Sequence, residues 1–255
     1  MLDQGKIKIE HIKGNISFER VCFSYKKAEP VLDNISFNIC KGQMLALVGK
    51  TGAGKTSIIN ILNRFYEIDS GSIKIDDINV KSLSLHDLRK NICLVQQDVF
   101  LFSDTILNNI TLYDENITKA QVIKAAQEIG LNSFVNSLPG KYDYIVSERG
   151  VTLSAGQRQL IAFLRIYVRN PKVLVLDEAT ASIDTKTEEL LQNALFKISR
   201  QITTIVIAHR LSTIIDADKI LHLMDGKIIE EGTHEELLQK KSLYAKMYHS
   251  QTGKS

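Results

Sequence analysis

The sequence predicts an α/β fold with a mostly parallel sheet covered by helices, an N-terminal antiparallel β subdomain and an inserted α-helical subdomain. Two features of the hydrophobic pattern predict this fold. Apolar residues alternate near the N-terminus, as in half-buried strands, whereas later apolar runs are short and continuous, as in strands buried on both faces. Helical patterns separate the continuous runs, and strands that alternate with helices are typical of a doubly wound sheet.

The antiparallel subdomain is predicted from two segments with apolar residues at roughly every second position. These residues are Ile16, Phe18, Val21, Phe23 and Tyr25 in the first segment, and Ile35, Phe37 and Ile39 in the second. A period of two is that of a strand with one buried face. The polar residues 1–15 are predicted to be a linker or tail, and residues 251–255 a C-terminal tail.

The core of the fold is predicted from the continuous apolar runs and the helices between them. Buried strands are predicted at Met44–Val48, Val173–Leu176 and Thr204–Ala208. Helices are predicted at Thr56–Phe65, Thr118–Glu128, Ser154–Val168, Thr185–Ile198 and His234–Gln239. The segment at about 99–156 shows helical patterns and no convincing strand, so it is predicted to be a helical subdomain inserted into the core.

Composition limits the classes of protein to which the chain can belong. Its 255 residues are 44% hydrophobic and 24% charged, as in soluble globular chains. The net charge of +3 is spread along the sequence, so no nucleic-acid partner is expected. Cys22, Cys40 and Cys93 show no C-x-x-C spacing, which argues against a disulfide framework or a zinc site. Without an apolar stretch of roughly 20 residues or a signal peptide, the chain is expected to be soluble and intracellular.

A phosphate-binding loop is predicted directly after the strand that ends at Val48. It matches G-x-x-x-x-G-K-[ST] and consists of Gly49, Lys50, Thr51, Gly52, Ala53, Gly54, Lys55 and Thr56, with Ser57 next in the nucleotide-binding set. Its glycines let successive N–H groups point at phosphate oxygens, and the following helix directs its positive dipole end at the same anion. Lys55 is expected to bridge the β- and γ-phosphates of ATP, and Thr56 to ligate Mg²⁺. A chance glycine-rich turn is the alternative, and the order of strand, motif and helix argues against it.

Two adjacent carboxylates, Asp177 and Glu178, follow the buried strand Val173–Leu176. Ligands bind at the carboxyl ends of strands in open α/β sheets. Asp177 is therefore expected to hold Mg²⁺, directly or through water, and Glu178 to act on the attacking water as general base. A strand that simply ends in solvated acids is the alternative. Together with the phosphate loop, the pair predicts a RecA-like P-loop NTPase core that binds Mg-ATP and hydrolyses ATP.

The segment Leu153-Ser154-Ala155-Gly156-Gln157 resembles the signature of the ATP-binding cassette (ABC) family, usually LSGGQ, with alanine in place of the first glycine. Other segments follow in the order of that family, and the resemblance covers about residues 16–248, within an ABC ATPase domain predicted at 16–250. It implies a head-to-tail dimer in which Ser154, Gly156 and Gln157 close over the ATP of the other subunit. A capped helix without a ligand is the alternative for this segment.

The resemblance also implies roles for four residues outside these motifs. Tyr25 resembles the aromatic residue that stacks on adenine, although a half-buried strand tyrosine is the alternative. Gln97 resembles the glutamine that reaches Mg²⁺ and the water; Gln96 is adjacent, and the spacing to the following Phe-Leu-Phe favours Gln97. Asp184 ends a segment similar to the loop that couples the two nucleotide sites, and it is also suited to cap the next helix. His209 resembles the switch histidine that contacts the γ-phosphate.

Two further segments resemble exporters of this family, namely residues 148–150 and 102–110. The resemblance implies a homologous or identical partner cassette, transmembrane domains that this chain does not contain, and a position at the cytoplasmic face of the cell membrane. One alternative is a soluble ABC switch that clamps nucleic acid or a ribosome. The other is a degenerate cassette that only binds ATP, and the presence of Glu178 and His209 argues against it.

Overall fold

The computed structural model describes residues 7, 12–27, 29–95, 99–147, 150, 152–177, 184–208, 211–240 and 242–252. The chain forms two compact units. The first contains residues 1–94, 172–178 and 202–255, and the second contains residues 95–171 and 179–201. Both predicted kinds of sheet and the helices are present, so the predicted α/β fold class is confirmed.

The secondary structure alternates between strands and helices along most of the chain. In chain order the strands are β1 (Ile16–Lys26), β2 (Glu29–Ile39), β3 (Met44–Val48), β4 (Ser70–Ile75), β5 (Ile78–Asn79), β6 (Ile92–Val95), β7 (Val173–Asp177), β8 (Thr203–Ile207), β9 (Lys219–Met224) and β10 (Lys227–Gly232). The helices are α1 (Lys55–Leu62), α2 (Leu85–Asn91), α3 (Ile106–Thr111), α4 (Lys119–Glu128), α5 (Asn132–Ser137), α6 (Ala155–Arg169), α7 (Thr185–Ser199), α8 (Leu211–Ile215), α9 (His234–Gln239) and α10 (Leu243–Thr252).

The first unit contains an antiparallel sheet whose strands lie in the order β2-β1-β4-β5. Its apolar face follows the alternation of the sequence. Phe18 and Phe37 are register partners across β1 and β2, and their rings stack with centroids 4.4 Å apart. Such cross-strand aromatic pairs are a main source of stability in antiparallel sheets.

The second sheet of this unit has the order β10-β9-β3-β8-β7-β6. β3 pairs in parallel with β8 on one side and with β9 on the other, and β7 pairs in parallel with β8. Every residue of β3 and of β8 is buried, which explains why these segments show no alternation. Only β10 is antiparallel to its neighbour among the strand pairs described for this sheet.

Helix α1 ends three residues before the predicted end at Phe65. The reason is Arg64, which takes a left-handed conformation with φ of 50°. Its buried guanidinium donates hydrogen bonds to the carbonyl oxygens of Val80 and Leu83 at 3.2 and 2.8 Å. These bonds hold a conformation that terminates the helix and leaves Phe65 exposed.

The second unit is helical in its described part, and side-chain caps begin most of its helices. Thr105, Thr118, Ser154 and Asp184 each accept a hydrogen bond from the first turn of α3, α4, α6 and α7, respectively. Such caps satisfy N–H groups that a helix start otherwise leaves without partners. In the described residues of both units, none of the helices combines the length and apolar character that crossing a membrane requires.

Asp76 links the turn between β4 and β5 to the segment before β1 by hydrogen bonds. Its carboxylate accepts hydrogen bonds from the backbone N–H groups of Lys13, Gly14 and Asn15 at 2.5, 3.2 and 2.9 Å, and from Asn15 Nδ2 at 2.8 Å. Burial alone raises the pKa of Asp76, but these hydrogen bonds outweigh it, so the pKa lies below the ordinary aspartate value.

We expect the substitution Asp76→Asn to destabilise the protein. The new amide NH₂ group would present donors to backbone N–H groups that need an acceptor. The loss is about 1 kcal/mol after allowance for solvent screening of a partly exposed group. Because folding lowers the pKa, the carboxylate contributes fully above about pH 4 and loses its contribution as the pH falls through its folded-state pKa. Urea unfolding at pH 7 and at pH 3 measures this, and the difference between wild type and variant should shrink at pH 3.

Asp77→Asn is the matched control, since Asp77 is the exposed neighbour in the same turn and also has a positive φ. A difference between wild type and Asp76→Asn that is the same at both pH values would contradict the assignment.

Candidate functional site

The predicted phosphate loop lies between β3 and α1. Ala53 N donates to Lys50 O at 3.2 Å, which closes a turn within the loop. Gly54 precedes α1 and has no side chain that could cap it. The first N–H groups of α1 therefore lack a cap from this position and face the end of the loop, which is the arrangement that binds anions at helix N-termini.

All three glycines of the loop have positive φ, and Gly49 and Gly52 need it for different physical reasons. At Gly49 (φ 142°) a Cβ atom would lie 2.3 Å from the carbonyl oxygen of Leu223 in β9, so no side chain fits. At Gly52 (φ 85°) a Cβ atom would meet no other atom within 4 Å. Gly49 thus allows the loop to approach the neighbouring strand, whereas Gly52 supplies only the left-handed turn at an exposed position.

Lys55 is buried at the start of α1 and its amine turns back onto the loop. Nζ donates to the carbonyl oxygens of Gly49 and Lys50 at 2.7 and 2.9 Å. Burial lowers the pKa of Lys55, and the negative charge of Asp177 opposes this effect. An ammonium group has three N–H donors, so these two bonds do not exhaust its capacity to bind a phosphate oxygen.

Asp177 reaches the same edge of the sheet as the phosphate loop. Asp177 at the end of β7 and Leu47 near the end of β3 are both register partners of Ile207 in β8. The carboxyl ends of β3 and β7 therefore flank the end of β8, as expected for a ligand site in a parallel sheet. Thr56 is exposed in the first turn of α1, and Ser57 is buried beside it.

Tyr25 lies at the end of β1 and contacts α1. The residue is 46% exposed, and its hydroxyl lies 3.1 Å from the Ser57 hydroxyl. Asn60 Nδ2 donates to the same tyrosine hydroxyl at 3.1 Å. Sequence reasoning did not single out Asn60, although its position one helical turn after Ser57 places both side chains on one face of α1.

The remaining described site residues belong to the second unit, where they begin helices. Ser154 and Gln157 form a capping box, in which Ser154 Oγ accepts from Gln157 N at 3.2 Å and Gln157 Oε1 accepts from Ser154 N at 3.0 Å. Gly156 is buried in the first turn of α6. Asp184 Oδ1 accepts from Thr187 N at 3.0 Å, and hydrogen bonds from Thr187 lower the pKa of Asp184.

The structure brings together Tyr25, residues 49–57 and Asp177 within the first unit. Gln97, Glu178 and His209 lie outside the described residues, as do Gln96 and residues 148–149 and 181–183. Their predicted roles remain predictions.

Comparison with known proteins places this chain in a family. The family model described as "ABC transporter" matches residues 32–181. The chain belongs to the ABC transporter family. It is an ATP-binding domain of that family, and such domains are ATPases.

Named relatives extend the match over nearly the whole chain. A putative ABC transporter ATP-binding protein of Streptococcus pneumoniae is 52% identical over 98% of this chain and 42% of its own length. An ATP-dependent lipid A-core flippase of Pasteurella multocida is 45% identical over 98% of this chain and 44% of its own length. A solved structure of a bacterial Atm1-family ABC exporter with ATP bound is 37% identical, with a TM-score of 0.85 over 96% of this chain and 44% of that one. The chain thus spans less than half the length of these relatives.

We expect Gly49→Ala to destabilise the ABC domain much more than Gly52→Ala. A left-handed alanine at position 52 costs about 1–2 kcal/mol, whereas overlap with a strand backbone at position 49 brings the loss to about 3 kcal/mol or more. Urea unfolding of both variants measures the difference. Equal losses would show that the close approach to β9 does not constrain the loop.

Proposed function

We propose that this chain is the ATP-hydrolysing motor of an exporter, located at the cytoplasmic face of the cell membrane. The observation that carries the proposal is the phosphate loop, with the Lys55 amine turned onto loop carbonyls at the sheet edge that Asp177 also reaches. Adenine stacks on Tyr25, and the triphosphate lies on residues 49–57. The uncapped start of α1 stabilises the phosphate charge.

The donors near the loop fit a magnesium ion. Mg²⁺ is commonly bound by one or two carboxylates together with substrate phosphates, rather than by an all-protein cage. Asp177 supplies a carboxylate and Thr56 an exposed hydroxyl, and we assign Gln97 as a further oxygen ligand. When bound, Mg²⁺ neutralises charge on the β- and γ-phosphate oxygens.

Hydrolysis needs positioning and charge more than covalent chemistry. In the proposed reaction Glu178 accepts a proton from the attacking water, and His209 and Gln97 orient the water and the γ-phosphate. Lys55 stabilises the negative charge on the transferred phosphoryl group, since its amine is already held within the loop. ADP and phosphate are the products.

The helix start at Ser154 suits a second phosphate contact. Its capping box holds the first turn of α6 in place, and Gly156 leaves room for a close backbone approach. We assign Ser154, Gly156 and Gln157 to the ATP of a second, identical or homologous cassette in a head-to-tail dimer. Asp184, which caps α7, lies at the start of the helix that follows the coupling loop.

Transmembrane domains are the proposed second partner, for two reasons. The matched relatives are more than twice as long as this chain. The second unit also exposes two adjacent phenylalanines, Phe100 (58%) and Phe102 (46%), whose ring centroids are 5.1 Å apart. Asn109, fully buried, binds both the N–H and the carbonyl oxygen of Phe102, so these rings sit on a fixed loop. Adjacent exposed aromatic rings are typical of a contact surface.

A gene context without transmembrane helices, either in frame or in a partner gene, would exclude this partner.

A soluble switch that clamps nucleic acid or a ribosome is not favoured. The relatives that match over most of this chain are named as transporter proteins and flippases. No basic run in the sequence offers a nucleic-acid surface.

We expect Lys55→Met to weaken ATP binding about 10- to 100-fold, because a charge-assisted hydrogen bond to phosphate is worth about 1.5–3 kcal/mol. Methionine keeps the length of the side chain and removes the charge. Calorimetric titration with Mg-ATP measures the change. The matched control is Lys41→Met, an exposed lysine just before β3. Equal affinity of the Lys55 and Lys41 variants would refute the phosphate assignment.

We expect Glu178→Gln to bind ATP and to hydrolyse it about 10²- to 10⁴-fold more slowly, the usual contribution of a general base. Because ATP then persists, the variant should elute as a dimer with Mg-ATP and as a monomer without it. Size-exclusion chromatography and phosphate release measure the two effects. Unchanged turnover would remove Glu178 from the role of base, and a monomer in both conditions would contradict the head-to-tail dimer.

A further inference from the structure

The side chain of Tyr25 is held by contacts of its hydroxyl and of its ring, although the residue is about half exposed. Its hydroxyl is bound by Asn60 Nδ2 and lies beside the Ser57 hydroxyl, each at 3.1 Å. Its ring meets two other aromatic rings edge-on, with centroid distances of 4.8 Å to Phe23 and 4.9 Å to Tyr66. Perpendicular contacts of this kind favour one orientation of the ring.

Backbone pairing alone does not fix this side chain. Tyr25 lies near the end of β1, where the register against β2 shifts between Ser24 and Lys26. Pairing of β1 with β4 extends only to Cys22. An exposed tyrosine at such a strand end has several staggered rotamers available unless side-chain contacts select one.

Asn60 and Ser57 both contact the Tyr25 hydroxyl, but they differ in their hydrogen-bond chemistry and in their distance from the phosphate loop. The amide NH₂ group only donates, so the tyrosine oxygen accepts from Asn60, whereas either hydroxyl can be the donor in the contact with Ser57. Ser57 is buried next to Lys55 and Thr56. Asn60 is only partly buried and lies one turn further from the phosphate loop. Asn60 therefore reaches the tyrosine without belonging to the loop.

We infer that Asn60 is a positioning residue for the nucleotide base, because it holds the ring of Tyr25 in the orientation on which adenine stacks. This inference rests on the base-stacking role of Tyr25 in the proposed function. Stacking uses the ring face without hydrogen bonds to the base. An ordered ring avoids the entropy loss of ordering it when ATP binds, so Asn60 raises ATP affinity without touching the nucleotide.

The test compares two ligands that differ in the base. Inorganic tripolyphosphate with Mg²⁺ probes the phosphate loop alone, whereas Mg-ATP probes the loop and the base platform together. We expect Asn60→Leu in the 255-residue chain to weaken ATP binding about three- to tenfold, the equivalent of one neutral hydrogen bond. Tripolyphosphate affinity should stay within about twofold, which also shows that the variant is folded. Calorimetric titration gives both constants.

A double-mutant cycle with Tyr25→Phe tests whether Asn60 acts through the tyrosine hydroxyl. In that background Asn60→Leu should change ATP affinity less than about twofold, because the hydroxyl on which it acts is gone. The matched control is Asn63→Leu, since Asn63 Nδ2 donates to Ile59 O within the same helical segment at 2.9 Å. Its substitution should lower stability without changing the ratio of the two affinities.

Equal weakening of both ligands by Asn60→Leu, additive losses in the cycle, or unchanged ATP affinity would each overturn the inference alone. Unchanged ATP affinity in Tyr25→Ala would instead overturn the base-stacking assignment in the proposed function, and this inference with it.

Discussion

The site depends on one close contact between two backbones. β3 lies between β8 and β9, and the chain leaves it at Gly49, where the Leu223 carbonyl of β9 occupies the space of a side chain. The loop then turns back, with Ala53 N donating to Lys50 O, and α1 begins at Lys55. The lysine amine then lies within reach of the carbonyl oxygens that the curl exposes. Such close packing permits few alternative conformations of the loop.

Much of the first unit could be predicted because the signals are local. The buried strands β3, β7 and β8 were located to within one residue, since uniformly apolar runs of this length fit few other structures. The phosphate loop was predicted from its spacing, and the order of the parallel strands explains why Asp177 lies at the same sheet edge. Local sequence and long-range topology agree at this site.

The rest required contacts that no sequence window contains. Only the second half of β2 alternates regularly, because a register shift between Ile35 and Leu32 adds one residue to β2 there. The end of α1 depends on Arg64, whose left-handed conformation is held by carbonyl groups 16 and 19 residues away. The contact between Asn60 and Tyr25 spans 35 residues. The short edge strand β5 has too few residues for any periodicity to show.

The missing cap of α1 has a consequence for the stability of the protein. Helices α3, α4, α6 and α7 each begin with a side chain that accepts from their own N–H groups, whereas Gly54 offers none to α1. In the proposed function a bound triphosphate supplies the acceptors that the polypeptide omits, so the ligand completes the start of α1. On that proposal nucleotide binding stabilises the folded state, because a ligand that binds only the folded chain shifts the folding equilibrium towards it.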